Sequence, residues 1–193
     1  VFKKKLNLPL ASLNDRAANY LKKRKLNPTK FYYANKFKHF CNTIKPTFET
    51  TKNDHPRVVI PFYDRENSLI GFQGRSLDSY VIPKYLTVML DEKSPKVYGL
   101  DKVNIEEEIY VTEGPFDSTF IGNSIAMCGS DVDLSDFNYR FIFVYDNEPR
   151  SREIVSKITK TIEKSHKVVI FPPHIREKDI NDMVLAGHDI KTL

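Results

Sequence analysis

No stretch of this sequence approaches the roughly 18 consecutive apolar residues that a membrane-spanning helix requires, and the opening VFKKKLNLPL has no apolar segment before a cleavage site. The sequence points to a soluble protein acting in the cytoplasm, with no membrane partner. Cysteine is equally scarce. Cys41 and Cys128 stand far apart without a CxxC companion, which speaks against a disulfide framework or a zinc ribbon and leaves two reduced, buried thiols as the expectation. The five histidines are scattered, and His39 with Cys41 alone supplies too few ligands for a zinc site. A GxxxxGK[ST] phosphate loop is absent, as are internal repeats and low-complexity tracts. The first residue is Val rather than Met, so the numbering is expected to start inside a longer gene product.

What is present is enough for a real core: 193 residues with 40% apolar content suit one compact domain or two small fused ones. Charge divides sharply along the chain. Residues 1–100 hold 19 Lys+Arg against 8 Asp+Glu, a net of +11, whereas residues 101–193 hold 11 against 17, a net of −6. A basic half can hold a polyanion by releasing counterions from phosphates, and an acidic half can collect divalent metal ions. The stretch Lys22-Lys23-Arg24-Lys25 is equally compatible with a plain solvated helix face.

Hydrophobic spacing predicts a short amphipathic helix over residues 12–25, with Ser12 or Asn14 as cap, and a second helix around residues 29–41. From Arg57 the pattern becomes that of strands. RVVIPFY and SLIGFQGR flank the polar Asp64-Arg65-Glu66-Asn67, which reads as a hairpin loop, and Pro61 argues that the first strand lies at an edge or ends there. Residues 80–100 read as irregular or short-stranded and are expected to lie against the sheet that follows. From Glu106 strand and helix alternate: IYVTEG, a helix from about Phe116, SIAMCG, RFIFVYDNE, a helix over 149–165 with Ile154, Val155, Ile158 and Ile162 on one stripe, KVVIFPP, and a short helix from Ile180. Continuous apolar strands alternating with amphipathic helices predict a parallel sheet covered on both faces, whose ligand lies beyond the carboxyl ends of the strands.

Acidic residues fall where such a site would be. Glu113 follows the strand Ile109–Thr112; Asp146, Asn147 and Glu148 follow Phe141–Tyr145; Asp179 and Asp182 come after a strand expected over Val168–Phe171. Carboxylates converging at one sheet edge repel one another unless cations neutralise them, and hard oxygen ligands suit Mg²⁺ or Mn²⁺. Two such ions stabilise the attacking and leaving oxygens of an in-line phosphoryl displacement, so the implied chemistry is phosphoryl or nucleotidyl transfer. The plainer alternative is that each acid caps the helix that follows it.

The runs YVTEGPFDSTF, VYDNE and KDIND resemble a Toprim domain, the fold shared by bacterial-type primases, topoisomerases and some nucleases. Glu113 matches the glutamate of the EGxxD element and Asp146 the first aspartate of DxD, while Glu148 stands in place of the second, one methylene longer. Upstream, IPFYDRENSLIGFQGRSLD, IPKYL and SPKVYGLDKV are similar to the segment preceding Toprim in DnaG-type primases, and ASLNDRAANYLKKR to an early helix of that family. The resemblance implies an α/β fold in which a Rossmann-like Toprim domain with helices on both faces (106–193) follows a smaller basic α+β subdomain (1–105).

It implies catalytic roles for Glu113, Asp146 and Glu148, metal ligation by these and Asp179, and nucleotide or nucleic-acid binding by Arg75, Lys84 and Lys96, with Asp117 and Asp182 as secondary candidates. Glu113 is left between metal ligand and acceptor of the proton from the attacking 3′-hydroxyl. Gly74 and Gly114 are positions for close backbone approach or unusual φ, and Tyr63, Phe72 and Tyr85 are read as core. The expected partners are single-stranded DNA and ribonucleoside triphosphates, with Mg²⁺ or Mn²⁺ as cofactor. The family also implies a replicative helicase and a zinc-binding domain, neither of which these residues supply. A Toprim nuclease or topoisomerase fragment shares the acidic site, and a catalytically silent single-stranded-DNA-binding module is the other alternative. The Lys-, Asn- and Phe-rich composition suggests a phage source, with action in the host cytoplasm.

Overall fold

In the computed structural model, which describes residues 6–129 and 132–190, the chain divides into two units, Val1–Lys96 and Val97–Leu193. The first unit opens with α1 (Asp15–Lys23), started by Asn14, whose side chain accepts the Ala17 N–H at 3.0 Å. Ala17, Ala18 and Leu21 are buried, and Lys22 and Lys23 sit in the last turn, where the helix dipole favours cations. The helix expected over 29–41 is not formed as one element. A 3₁₀ turn at Pro28–Lys30 leads into β1 (Tyr32–Ala34), and α2 runs over Phe37–Ile44. Tyr32 and Tyr33 find strand partners in Val59 and Val58, and the start of α2 is capped from a distance. Both carboxylate oxygens of Asp54 accept N–H groups of its first turn, from Lys38 at 2.8 Å and His39 at 2.9 Å.

β1 is the first strand of an antiparallel sheet of order β1-β2-β3-β4, completed by β2 (Arg57–Tyr63), β3 (Leu69–Ser76) and β4 (Tyr85–Met89). β2 is interior, contrary to the edge expected from Pro61. β1 pairs only with Arg57–Val59, however, so at Pro61 β2 has a registered neighbour on one side alone, in β3. β4 belongs to this sheet and not to the one that follows, because it continues the hairpin register from Gly71↔Met89 to Arg75↔Tyr85. Phe37, Cys41, Val59, Phe72 and Val88 form the core. Gly74 is demanded by close approach, since a Cβ there would lie 2.4 Å from the Phe37 ring.

The second unit carries a sheet of order β5-β7-β6-β8-β9: β5 (Val97–Tyr98), β6 (Ile109–Thr112), β7 (Ser124–Met127), β8 (Phe141–Val144) and β9 (Lys167–Val168). The β7-β6-β8-β9 pairings are parallel and β5 is antiparallel, so Val97–Tyr98, placed on the basic side by the sequence, form an edge of this sheet. Alternation along β8 feeds two cores. Phe141 and Phe143 pack with Ile154 on the face covered by α4 (Arg152–Glu163), while Val144 packs with Ile180 and Met183 of α5 (Ile180–Ala186) on the other. A short helix, α3 (Pro115–Ser118), follows β6.

Two details differ from the periodicity reading. The buried stripe of α4 runs through Ile154, Ile158 and Thr161, leaving Val155 and Ile162 exposed, because the Thr161 hydroxyl is taken inward by Tyr145 Oη at 2.6 Å. The last strand stops at Val168, before Pro172 and Pro173, which lack the N–H a ladder needs. Among the described residues no helix is long and apolar enough to cross a membrane.

Candidate active site

The carboxyl ends of β6 and β8 and the start of α5 carry Glu113, Asp146 and Asp179, the acids that the sequence places at strand ends. Glu113 leaves β6 half-buried, and its Oε1 accepts the Lys157 ammonium from α4 at 3.0 Å; Glu153, one turn earlier on α4, holds the same ammonium at 3.0 Å. Gly114 follows. A Cβ at this position would stand 2.9 Å from Asp117 Oδ2, so the absence of a side chain is what lets the Asp117 carboxylate fold back over the turn. Its φ of −116° is ordinary, so close approach rather than unusual backbone geometry explains this glycine. Asp117 Oδ1 accepts the Asn181 N–H at 3.0 Å, tying the turn after β6 to α5.

Burial, then Asp179, then Asp146 push the Asp117 carboxyl up to about 7. Asp146, at the end of β8, is pushed up to about 6 by burial first and then by Glu113, with Asp179 adding to the effect. Asp179 thus acts on both Asp117 and Asp146, and Glu113 on Asp146, whose carboxylates repel one another. Lysines supply part of the opposing charge. Lys178 Nζ lies 2.9 Å from Glu148 Oε2 and 3.5 Å from Asp146 Oδ2. Among the described residues, no three His, Cys, Asp or Glu side chains are already gathered as a ligand set. The donor chemistry nonetheless fits a hard divalent ion, since every member is a carboxylate and a bound cation favours the ionised form that burial and the neighbouring carboxylates disfavour in Asp117 and Asp146.

Asp179 has a second task, the plainer one allowed by the sequence: it is the N-cap of α5, its Oδ1 accepting the Asp182 N–H at 2.7 Å. Asp182 itself is exposed in the first turn of α5. Asp117, a secondary candidate in the sequence, is the most perturbed acid of the group. Sequence reasoning missed Asn147. Its N–H donates to Lys178 O at 2.6 Å and its Nδ2 to the carbonyls of Ile175 and Glu177, both at 3.1 Å, so it staples the β8 end to the loop that delivers Asp179. An amide between two acids was the only signal. Beside Asp146 opens a cleft of about 390 Å³, walled by Tyr145, Ile158 and Phe171 and rimmed by Glu148 and Arg176.

In the first unit, strand register brings Arg75 and Lys84 to one end of the β3–β4 pair, where the Ser76 N–H donates to Lys84 O at 2.9 Å; Lys96, at the last position of the unit, is not placed beside them by any register. Arg75 lies over the Tyr85 ring at 4.5 Å, and its Nε donates to Tyr20 Oη at 3.0 Å, so Tyr85 orients a cation rather than serving as plain core. Tyr63 and Phe72 do pack in the core. Arg57 was also missed. Buried at the start of β2, it donates to the carbonyls of Gly74, Lys84 and Pro83 at 2.8–3.0 Å and thereby fixes the segment carrying Lys84.

Comparison with known proteins accounts for both units together. The chain is 33% identical over 171 residues to the DNA primase of Enterobacteria phage T4, covering 86% of this chain and 50% of that protein. It is 30% identical over 115 residues to the DNA primase of Legionella pneumophila, covering 50% of this chain and 20% of that protein. Among solved structures, the Aquifex aeolicus primase zinc-binding and RNA polymerase domains superpose with a TM-score of 0.67 at 21% identity, over 93% of this chain and 54% of that one. The fold is that of the DnaG-type primase core. A second such structure, a DnaG catalytic domain bound to single-stranded DNA, matches with a TM-score of 0.67 at 18% identity over 96% of this chain and 73% of that one. No family model matches the chain, which spans about half the length of the T4 primase.

Proposed function

We propose that this chain is the catalytic core of a DNA primase that builds short RNA primers on single-stranded DNA from ribonucleoside triphosphates. The observation that carries the reading is the placement of Glu113 and Asp146 just past the ends of the parallel strands β6 and β8, with Asp179 near enough to act on both Asp146 and Asp117, in a chain one-third identical to a phage DNA primase. Asp146, Asp117 and Asp179 would hold Mg²⁺ or Mn²⁺, with Glu148 as an outer ligand once Lys178 moves aside. Divalent ions bound there supply charge stabilisation for the attacking and leaving oxygens of nucleotidyl transfer. Lys157 holds the Glu113 carboxylate in place, where it either joins the ligand set or takes the proton of the attacking 3′-hydroxyl. The cleft beside Asp146 offers room for the sugar and base of the incoming nucleotide.

Arg75, Lys84 and Lys96 would bind template or triphosphate, Arg75 through a planar fork suited to bidentate phosphate contact. A replicative helicase and a zinc-binding domain are the expected partners in the host cytoplasm. Incubation with single-stranded DNA, labelled ribonucleotides and Mg²⁺ or Mn²⁺ should give short ribo-oligomers that Asp146→Asn abolishes. DNA cleavage, or binding without synthesis even when a zinc-binding domain is supplied, contradicts the reading.

A further inference from the structure

The segment between β3 and β4 is held from several directions, yet it presents two large apolar side chains to solvent. Arg57 donates to Pro83 O at 3.0 Å and Lys84 O at 2.8 Å; Ser76 Oγ donates to Asp78 O and accepts the Asp78 N–H, both at 3.1 Å; Asp78 is also ion-paired with Arg16. Val81 anchors the middle at 4% exposure. On either side of it Tyr80 is 75% and Ile82 88% exposed. The His55 ring meets Tyr80 edge-on at a centroid distance of 6.4 Å, leaving most of the tyrosine uncovered. Scattered single apolar residues on a surface need no explanation, but two within three positions on a pinned loop form a patch that the fold leaves largely unused.

Its surroundings identify the occupant. Exposed Lys84 lies two residues from Ile82, Arg75 sits at the same end of the β3–β4 pair, and the unit containing them carries 19 basic against 8 acidic residues. A flat aromatic face and an aliphatic neighbour beside a cation on a strongly basic body match the alternation of base and phosphate in an unpaired nucleic-acid strand. We infer that Tyr80 and Ile82 form a base-stacking platform for single-stranded DNA, with Lys84 on the adjoining phosphate. Because the loop is already fixed, little ordering is required when the strand docks. The inference rests on the reading of the basic unit as the template-binding half and adds residues which that reading does not contain.

The test uses the full chain and a short single-stranded oligothymidylate carrying one 5-iododeoxyuridine. Tyr80→Ala should weaken binding about tenfold or more, and Tyr80→Phe by less than about twofold, because the phenyl face suffices for stacking. Tyr80→Ala should leave the salt dependence of binding unchanged, whereas Lys84→Met should reduce its slope by about one. Irradiation should cross-link the iodouracil to Tyr80. Unchanged affinity in Tyr80→Ala with cross-links confined to other peptides overturns the platform while leaving template binding by the unit intact. The same holds if Tyr80→Ala splits a self-associated wild-type chain and leaves DNA affinity untouched. A wild-type chain that does not bind the oligonucleotide at all overturns both readings.

Discussion

Asp117 folds back against Gly114, leaving no room at the glycine for even a methyl group, which would stand 2.9 Å from Asp117 Oδ2. The backbone at Gly114 has a φ of −116°, open to any residue, so alanine there strains the carboxylate and not the main chain. Gly114→Ala should fold with a melting temperature within a few degrees of wild type, roughly the effect of 1 kcal/mol or less, while primer synthesis drops about tenfold or more as Asp117 is pushed out of the acidic group. Melting and primer synthesis measured on one preparation check both halves of the prediction.

Asp117 also sets a pH dependence. Its carboxyl is raised to about 7 in the folded chain from an ordinary 3.8, and that of Asp146 to about 6. Between these values the folded state binds more protons than the unfolded one, so the two groups make stability fall as pH rises from about 4 to about 7. Asp117→Asn should flatten that decline in metal-free thermal melts. Mn²⁺, which binds the ionised carboxylates, should raise the melting temperature of wild type more at pH 8 than at pH 5.

Asp146 and Glu148 should not be equivalent. Asp146 is the more enclosed, with 26% side-chain exposure against 40% for Glu148, and it feels both Glu113 and Asp179, whereas Glu148 is closest to Lys178. Asp146→Asn is expected to cost about 100-fold or more in primer synthesis and Glu148→Gln about tenfold. Rates measured side by side in Mn²⁺ would reveal the order.

Arg57, buried at the start of β2, donates to three carbonyls, those of Gly74, Pro83 and Lys84, the last of which it shares with the Ser76 N–H. Arg57→Leu should destabilise the chain by about 3 kcal/mol or more, seen as a melting temperature lower by about 10 °C or more. Arg57→Lys should recover only part of the loss, since one ammonium does not reproduce the planar fork that spans Gly74, Pro83 and Lys84.

The parallel sheet and its acidic edge were legible in the sequence because both follow local rules: unbroken apolar runs such as Phe141–Val144 mark buried strands, and an acid at a strand end is visible by position. What escaped depends on distant partners. α2 begins at Phe37 because Asp54 caps it across 15 residues, so no local cap announced its start. The inward side of α4 is fixed by Thr161, a polar residue that apolar spacing passes over, because Tyr145 supplies its hydrogen bond. Arg57 looked like the first residue of a strand, and Asn147 like a spacer between acids. Their importance lies in carbonyls contributed by other segments, which sequence spacing does not encode.

The acidic cluster as metal centre is tested most directly by titrating the chain with Mn²⁺ and counting bound ions by electron paramagnetic resonance in wild type, Asp117→Asn and Asp146→Asn. Wild type should bind about two ions saturably, with at least one site lost or strongly weakened in each variant. A wild-type isotherm reproduced by both variants would contradict a metal centre there.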